Sequence, residues 1–368
     1  MKIAVLSSHT PSLYWFRLDM MKAFREKGHT VYALGNEEES KWTLGFCKHG
    51  INYQQINVQR NGTNPLSDLK TLKSIKKALK EIKPDKVFTY QAKTIIYGGI
   101  AANQLGIREV YPLIAGLGSI FLNDSLKTKI LRKILLTEYK VAMKKAPGVF
   151  FQNSDDEDEF RRNKVIKNQK VVKLNGSGVS LDKFTVQPMP EIFGFLCISR
   201  LIKDKGVFEY LEACEQIKKN NPNVRCLLVG PYDSNPSSLH PEELQRFIDN
   251  GVIEYFGEQT DVVPYLAQCS VYVLPSYREG TPKTVLEAMA CGRAVITTDA
   301  PGCRETVDDK VNGLLVPVKD VDSIVEAMEY MISHQDVVNR MAKLGRKKAE
   351  ELFDVNKVNA MICETMGL

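Results

Sequence analysis

The chain has 368 residues, of which 43% are hydrophobic and 26% charged, and its formal net charge is +6. This length fits two domains, and the composition excludes a disordered chain. The N-terminal stretch MKIAVLSSHTPSLYWF lacks the apolar core of a signal peptide and no run is long enough to span a membrane, so we expect a cytosolic protein. Eight scattered cysteines without a C-x-x-C pair favour packed, reduced thiols over a zinc site.

Apolar, β-branched runs alternate with helical patterns through the first half of the chain. The predicted strands are residues 2–8, 29–35, 85–91, 108–114 and 148–154. The helix after the first strand should bury four side chains at helical spacing, namely Leu13, Phe16, Met20 and Phe24. Strands that alternate with helices indicate a doubly wound, parallel α/β sheet.

The same alternation restarts after a linker-like segment with two prolines, TVQPMPE. Six further strands are predicted at residues 193–199, 225–231, 253–257, 271–276, 294–299 and 313–318. We therefore expect two Rossmann-like domains that face a central cleft, the natural place for a ligand. Their expected bounds are 1–185 and 186–350, with a last helix in 351–368 that crosses back to the first domain.

The turn after the first strand does not fit the usual dinucleotide fingerprint. It reads SSHTPS, where a nicotinamide or flavin site would show G-x-G-x-x-G. A P-loop pattern is also absent from the sequence. Dehydrogenases and P-loop nucleotidases are therefore poor candidates.

The segment at residues 278–292, REGTPKTVLEAMACG, carries an unusual charge pattern. It predicts a helix with Thr281 as N-cap and Pro282 as its first residue. The first turn holds Lys283 where an acid would suit the positive helix end, so a bound phosphate or diphosphate would account for the cation. The alternative is an exposed ion pair between Lys283 and Glu287, four residues apart.

A second cationic segment, SRLIKDKG at residues 199–206, follows the first strand of the second domain. Arg200 and Lys205 should lie at the same sheet edge as the helix that begins near Pro282. An arginine fork, a lysine charge and backbone amides together suit a nucleoside diphosphate. Taken alone, such a loop is more often solvated charge.

Together with GSGV (176–179) and NGLLVP (312–317), these segments resemble the family-4 glycosyltransferases, retaining enzymes of the GT-B fold with an E-x7-E signature. The resemblance covers almost the whole chain. It implies sugar transfer from a nucleotide donor, expected to be UDP-linked, without a metal ion or other cofactor. Preorganised cations would then stabilise the departing diphosphate.

The resemblance also implies a role for each donor residue. Arg200 and Lys205 would hold the diphosphate, Glu287 would bind the ribose, and Glu279 would lie beside the donor sugar; the first two and Glu279 are the catalytic candidates. The implied donor-binding set is Arg200, Lys205, Gly257, Glu258, Gln259, Glu279, Gly280, Thr281, Pro282, Lys283, Thr284 and Glu287.

The first domain resembles a narrower subgroup that adds a sugar, often an N-acetylhexosamine, to polyprenyl-diphosphate-linked saccharides in bacterial glycan assembly. The matching segments are SLYWFR (12–17), AGLGSIF (115–121) and FFQNSDDEDEF (150–160). By this resemblance Arg17 is suited to a lipid diphosphate. The implied acceptor-binding residues are Arg17, Lys93, Thr94, Gly116 and Gly118.

The identity of a catalytic side chain in the first domain is open. Ala115 stands where many family members have a histidine or an acid. His9, directly after the first strand, is the candidate to approach the acceptor hydroxyl. The alternative is a loop histidine without a chemical task.

Basic residues concentrate in two stretches, and residues 126–145 hold seven Lys or Arg against one Glu. An apolar stripe shares this helix, formed by Ile130, Ile134, Leu135, Val141 and Met143. We expect peripheral contact with an anionic membrane surface, at the inner face of the cell membrane. The predicted contact residues are Lys127, Lys129, Arg132 and Lys133. A helix packed on its own sheet with a solvated basic face is the alternative, and both descriptions can hold.

Two other protein classes were compared with this interpretation. A sugar-nucleotide epimerase of the GT-B type shares the two-domain fold, but is not expected to show the set Arg200, Lys205, Glu279 and Glu287. A nucleic-acid-binding protein would use the basic helices, which lack a reader module or interleaved aromatic residues. Neither nucleic acid nor metal is therefore an expected partner.

Overall fold

The computed structural model describes residues 1–59, 62, 64–121, 125–233 and 237–368. These residues form two compact units. The first unit joins Met1–Ser177 to Val355–Leu368, and the second is Gly178–Asp354. Each unit contains one parallel sheet, so the prediction of two Rossmann-like sheets is confirmed.

The first unit alternates strands and helices in the predicted manner. Its strands are β1 (Lys2–Leu6), β2 (Thr30–Gly35), β3 (Asn52–Gln55), β4 (Lys86–Tyr90), β5 (Val110–Ile114), β6 (Gly148–Phe151) and β7 (Lys170–Lys173). Its helices are α1 (Thr10–Glu26), α2 (Glu39–Cys47), α3 (Pro65–Ile82), α4 (Ala92–Gln104), α5 (Leu126–Ala142) and α6 (Ser154–Arg162), with a 3-10 turn at Ser119–Phe121.

The seven strands pair in the order β3-β2-β1-β4-β5-β6-β7. The apolar runs that predicted five of these strands lie buried between the two helical layers. The sequence did not indicate β3 and β7, because their four-residue strands, NYQQ and KVVK, carry polar residues at exposed positions and no continuous apolar run.

Helix α1 buries a different face from the one predicted. Leu13, Met20 and Phe24 are in the core, but Phe16 is 43% exposed and Arg17 only 3%. The prediction for Phe16 was wrong: at about 100° per residue, Phe16 lies about 60° from Leu13 around the helix, whereas Arg17 lies only about 40° from it on the other side. A charged side chain thus occupies a position that periodicity assigns to the core.

The second unit has its own element set. Its strands are β8 (Gly194–Ile198), β9 (Arg225–Val229), β10 (Glu254–Tyr255), β11 (Val271–Leu274), β12 (Ala294–Thr298) and β13 (Gly313–Val316). Its helices are α7 (Val207–Asn220), α8 (Pro241–Asp249), α9 (Val263–Leu266), α10 (Lys283–Ala290), α11 (Val321–Ser333) and α12 (Gln335–Leu352), with a 3-10 turn at Lys203–Lys205. The sheet order is β10-β9-β8-β11-β12-β13.

The last helix, α13 (Val355–Met366), belongs to the first unit and packs on α1. Its apolar residues Val358, Ile362 and Met366 join the same buried cluster as Met20 and Phe24 of α1. The first unit is therefore discontinuous in sequence, and its core is completed only by the C-terminal segment.

Seven of the eight cysteines are buried, and none forms a disulfide. Burial raises the pKa of thiols such as Cys197 to about 12, because the thiolate loses its hydration. Among the helices that the structure describes, none has both the length and the apolar character needed to cross a bilayer.

Candidate functional site

The second unit places its predicted donor residues in loops at one edge of the sheet. All its strand pairs are parallel, so the carboxyl ends of β8, β9, β10 and β11 meet at this edge. Arg200 and Lys205 follow β8, residues 257–259 follow β10, and residues 279–284 follow β11. The fold thus gathers segments that are up to about 80 residues apart in the chain.

Arg200 is paired with an acid that the sequence did not single out. Its Nη1 donates a hydrogen bond to Oδ2 of Asp233 at 2.6 Å. Asp233 lies in the segment after β9, and its side chain is more buried than that of Arg200. Asp233 therefore fixes the orientation of the Arg200 guanidinium group, so less side-chain entropy would be lost when that group binds an anion.

Lys205 makes an ion pair with Glu279, the first glutamate of the E-x7-E signature. Both side chains are largely buried, at 19% and 14% exposure. Partly buried charges are costly unless paired, so this contact stabilises both groups. It also means that a donor diphosphate would share Lys205 with Glu279.

Helix α10 begins one residue later than predicted. Pro282 occupies the N-cap position with an extended backbone (ψ 108°) and no side-chain capping bond, and Lys283 is the first helical residue. The assignment of Thr281 as N-cap was wrong: the backbone of Pro282 is still extended, and Pro282, which has no N–H to leave unpaired, takes the N-cap position instead. The amide of Val285 donates to the carbonyl of Pro282 at 3.1 Å.

Glu287 is buried on α10, with 8% of its surface exposed. The loss of hydration raises the pKa of its carboxyl group to about 7, and the nearby charges of Lys283 and Lys183 only partly oppose this shift. Lys283 Nζ lies 3.9 Å from Glu287 Oε1, so the alternative ion pair exists, but in a half-buried place rather than an exposed one. A carboxyl group whose pKa is shifted close to neutral pH, at the sheet edge where ligands bind, is typical of functional sites.

The segment after β10 is shaped by backbone contacts. Gly257 has a positive φ of 66°, and its carbonyl accepts a hydrogen bond from the amide of Gly230 at 2.8 Å. The side-chain amide of Gln259 donates to the carbonyl of Phe256 at 2.6 Å. The loops after β9 and β10 are therefore joined, which places residues 257–259 next to the segment that carries Asp233.

The first unit has a pocket of about 250 Å³ at the carboxyl ends of its own central strands. Residues after β1, β4 and β5 line it, and they include Lys93, Gly116 and Gly118 of the predicted acceptor set. Both glycines have positive φ, 99° and 76°, which suits the tight turn after β5. The structure thus brings these three predicted residues together around one cavity.

Two predicted acceptor residues are engaged within the protein. Lys93 Nζ lies 2.6 Å from Oδ1 of Asp68, and both side chains are mostly buried. The Thr94 hydroxyl donates to the carbonyl of Tyr90 on the preceding strand, and Thr94 is fully buried. Lys93 can still present its charge to the pocket, whereas Thr94 holds the first turn of α4 to the end of β4.

Arg17 is a buried cation over an aromatic ring. Its guanidinium carbon lies 4.9 Å from the centroid of Tyr90, and its Nε finds no acceptor among the residues that the structure describes. Burial lowers the pKa of Arg17 to about 10. A buried arginine with an unsatisfied donor is costly, so an anionic ligand would be favoured near it.

His9 occupies the N-cap position of α1, is half-buried, and makes no capping hydrogen bond with its side chain. It does not line the pocket of the first unit. Ala115 does line it and is exposed. A polar network built on Gln91, which the sequence did not single out, surrounds this region, because the Gln91 amide oxygen accepts from the Ser7 and Ser8 hydroxyls at 2.8 Å.

Helix α5 exposes an apolar stripe between basic side chains. Of the predicted stripe, Ile130, Ile134 and Val141 are 62%, 52% and 54% exposed, and Leu135 is half-buried. Leu126, which the sequence did not assign to the stripe, is 81% exposed and extends it. Met143 is buried in the core, so its assignment to this stripe was wrong; it lies beyond the end of α5, where the chain turns toward the sheet.

The basic residues of α5 differ in what they contact. Lys127, Lys129 and Lys133 are exposed. Arg132 donates to the carbonyl of Ile120 at 3.2 Å and stacks on Phe121, so it is partly used to hold the 3-10 turn. The three lysines are therefore better placed than Arg132 for a partner outside the protein.

No cluster of three or more His, Cys, Asp or Glu side chains suited to a metal ion occurs among the residues that the structure describes. The sequence contains two D-x-D patterns, a metal-binding pattern in other glycosyltransferases, at residues 156–158 and 320–322. They lie at the starts of α6 and α11, and Asp320 caps α11 by accepting a hydrogen bond from the amide of Ser323 at 3.0 Å. Asp320 is thus a helix cap, whereas α6 is capped by Asn153, and Asp156 lies in the first turn, where an acid suits the helix dipole.

Both halves of the chain match known protein families. The family model "Glycosyl transferases group 1" matches residues 186–348, and "Glycosyl transferase 4-like" matches residues 2–153. Among solved structures, Anabaena HepE in complex with UDP is similar over 100% of both chains, with a TM-score of 0.80 at 20% identity. The outer core galactosyltransferase WaaB is similar over 100% of both chains, with a TM-score of 0.71 at 18% identity. The fold is therefore that of GT-B enzymes.

Two characterised relatives resemble the chain in sequence. The first is N,N'-diacetylbacillosaminyl-diphospho-undecaprenol alpha-1,3-N-acetylgalactosaminyltransferase of Campylobacter jejuni, 29% identical over 97% of this chain and 96% of its own. The second is UDP-Gal:alpha-D-GlcNAc-diphosphoundecaprenol alpha-1,3-galactosyltransferase of Escherichia coli, 26% identical over 79% of this chain and 77% of its own. With the two family matches, the chain belongs to the glycosyltransferases, which confirms the enzyme class that its motifs indicate; retention at the anomeric carbon and independence of metal stay predictions.

Proposed function

We propose that this protein transfers a hexose or N-acetylhexosamine from a UDP-sugar to a polyprenyl-diphosphate-linked saccharide. The observation that carries the donor half is the convergence of Arg200, Lys205 and the start of α10 on one sheet edge. The acceptor half is supported by the two relatives, whose names both state an undecaprenol-diphosphate-linked acceptor.

The transfer would break the bond between the anomeric carbon and the diphosphate oxygen, and form a bond from that carbon to an acceptor hydroxyl oxygen. Negative charge then develops on the diphosphate, where Arg200, Lys205 and the first-turn amides of α10 would stabilise it without a metal ion. The acceptor proton would leave with the departing phosphate oxygen. Attack on the same face gives retention at the anomeric carbon.

Glu279 and Glu287 have separate tasks in this proposal. Glu279, held by Lys205, would lie beside the donor sugar, and Glu287 would accept hydrogen bonds from the ribose hydroxyls. Residues 257–259 would line the base. The epimerase alternative has no specific observation in its favour.

In the first unit, the pocket beside Lys93 would receive the acceptor saccharide, and Arg17 would attract its diphosphate. The exposed stripe and lysines of α5 would hold the first unit on an anionic membrane surface, at the cytoplasmic face. The lipid part of the acceptor then stays in the bilayer while its sugar enters the enzyme.

The test is a panel of UDP- and GDP-sugars assayed against polyprenyl-diphosphate sugars, with the product and its anomeric configuration determined by mass spectrometry and NMR. Arg200→Ala and Lys205→Ala should each lower kcat/KM by about 100-fold, the cost of losing one charge-stabilising group. Lys203→Ala is the matched control, because Lys203 is an exposed lysine of the same 3-10 turn. Unchanged turnover after Arg200→Ala would remove the diphosphate assignment.

The acceptor half is tested in the same assay by Arg17→Met. We expect a higher KM for the lipid acceptor and an unchanged KM for the donor, because Arg17 belongs to the first unit. Arg25→Met, an exposed arginine of the same helix, is the control. An effect on the donor KM alone would contradict the assignment of Arg17 to the acceptor.

A further inference from the structure

Gly302 packs directly against the backbone carbonyls of Glu279 and Gly280. Gly302, in the segment after β12, has a φ of +84°, and a Cβ on it would lie 2.3 Å from the Glu279 carbonyl oxygen and 2.6 Å from that of Gly280. Nonbonded heavy atoms need about 3.5 Å. A side chain at this position would therefore have to displace the Glu279 backbone by roughly 1 Å.

A hydrogen bond joins the same two segments. The amide of Glu279 donates to the carbonyl of Pro301 at 2.9 Å. In addition, the Thr298 hydroxyl at the end of β12 donates to the carbonyl of Ser276. The loop between β11 and α10 is thus tied to the end of β12 along its length.

The opposite side of this loop is equally confined. The carbonyl of Asp204 accepts from the Ser276 hydroxyl at 3.1 Å and from the Tyr277 amide at 2.9 Å. A Cβ on Gly206 would lie 2.0 Å from the carbonyl oxygen of Pro275. The segment after β8 therefore blocks movement of the loop on this side. A side chain at position 302 would then displace the backbone of Glu279 itself.

We infer that Gly302 is a positioning residue for Glu279: its missing side chain and its positive φ let the segment after β12 support the Glu279 backbone and so aim the Glu279 carboxylate at the donor sugar. This inference rests on the proposed function, in which Glu279 lies beside that sugar. Gly302 would act through Glu279 and not through a contact with substrate. Glu279 is then fixed at two points, its backbone by the segment after β12 and its carboxylate by Lys205.

Gly302→Ala should lower kcat by about 100-fold, because a misplacement of roughly 1 Å at a reacting group costs that much. The affinity for UDP, measured by calorimetry, should change by less than about threefold, since the carboxylate faces the sugar and not the nucleotide. Gly251→Ala is the matched control, because Gly251 has a φ of +67° in the same unit with nothing within 4 Å of its Cβ position. The Gly251→Ala variant places an alanine at a similar positive φ but brings its Cβ near no other atom, so its kcat should equal that of the wild type.

A double-mutant cycle with Glu279→Ala decides whether Gly302 acts through Glu279. The inference requires that Gly302→Ala cause no further loss of kcat in the Glu279→Ala background. Losses that multiply in the double variant would overturn it. If wild-type protein transfers no sugar from any donor, the proposed function fails instead, so the two failures are distinguishable.

A second variant covers the case in which Gly302→Ala does not fold. Pro301→Gly adds no atoms but loosens the segment that supplies the carbonyl to Glu279. It should lower kcat by about tenfold or more, again only when Glu279 is present. Full activity of Pro301→Gly would also overturn the inference.

Discussion

The buried carboxyl group of Glu287 is the most perturbed acid of the donor edge, and its titration gives a prediction. The folded pKa of about 7 lies above the ordinary value of 4.5 because burial disfavours the charged form. For a raised carboxyl pKa, the folded protein holds the proton more tightly than the unfolded chain does. The free energy of unfolding should therefore fall as the pH rises from 4.5 to about 7.

Glu287→Gln should abolish this part of the pH dependence. At pH 8 the variant should be more stable than the wild type by up to about 3 kcal/mol, and at pH 4 the two should be equal. Urea unfolding at several pH values measures the difference. Glu326→Gln, an exposed glutamate of α11, is the control and should follow the wild-type curve. Equal stability of Glu287→Gln and wild type at pH 8 would contradict the raised pKa.

The same substitution should act on function in the opposite sense. If the Glu287 carboxylate accepts the ribose hydroxyls, removing its charge should weaken donor binding while it stabilises the fold. Such a conflict is common where a site keeps a charged group away from water. Binding of the ribose would thus explain why a glutamate stands at a position where burial favours an uncharged residue.

At the scale of single elements, helix α5 carries the membrane prediction. Its outer face combines the apolar stripe Leu126, Ile130, Ile134 and Val141 with exposed lysines, while Leu136 and Tyr139 hold its other face in the core. The structure therefore confirms a helix packed on its own unit with an exposed basic face, and contact of that face with a membrane stays a prediction. Each basic residue near an anionic surface contributes about 1 kcal/mol.

Lys129→Ala with Lys133→Ala should weaken binding to phosphatidylglycerol vesicles by about 30-fold at low salt, and leave transfer to a soluble acceptor analogue unchanged. Sedimentation with the vesicles measures the binding. Lys343→Ala with Lys347→Ala is the matched control, because it removes two exposed lysines from α12 of the second unit. The α5 assignment fails if both pairs weaken binding equally or if the wild type does not sediment.

At the scale of the whole molecule, the chain crosses between its two units twice, since α13 returns to the first unit. We expect two unfolding transitions in calorimetry, because each unit has its own core. UDP should raise only the transition temperature of the second unit, because it is expected to bind that unit. Ile362→Ala should lower only the transition temperature of the first unit, because it reduces the free energy of unfolding of that unit by about 2–5 kcal/mol.

The control for this prediction lies on the same helix. Met361 is exposed, whereas Ile362 is fully buried against α1. Met361→Ala should therefore leave both transitions in place. A loss of the UDP-sensitive transition in Ile362→Ala would show that the two units do not unfold independently.

Alternation of apolar runs with helical patterns was sufficient to predict both parallel sheets, because a parallel strand buried on both faces needs a nearly continuous apolar run. Strands β3 and β7 were missed because they are four residues long and partly polar. The bounds of the units in the structure, at Ser177 and Asp354, depend on packing contacts that no local pattern records.

The motifs around Arg200, Lys205, Glu279 and Glu287 identified the family from the sequence alone, because a spacing of charged residues relative to strands and glycines is a local property. Which groups pair with one another was decided only by tertiary structure. Asp233 reaches Arg200 and Gly302 supports Glu279 because parallel strands bring their following loops to one edge, whatever their distance along the chain. Periodicity places Arg17 on the inner side of α1, but it could not show that a charged side chain would be buried there, since burial depends on what packs over the helix.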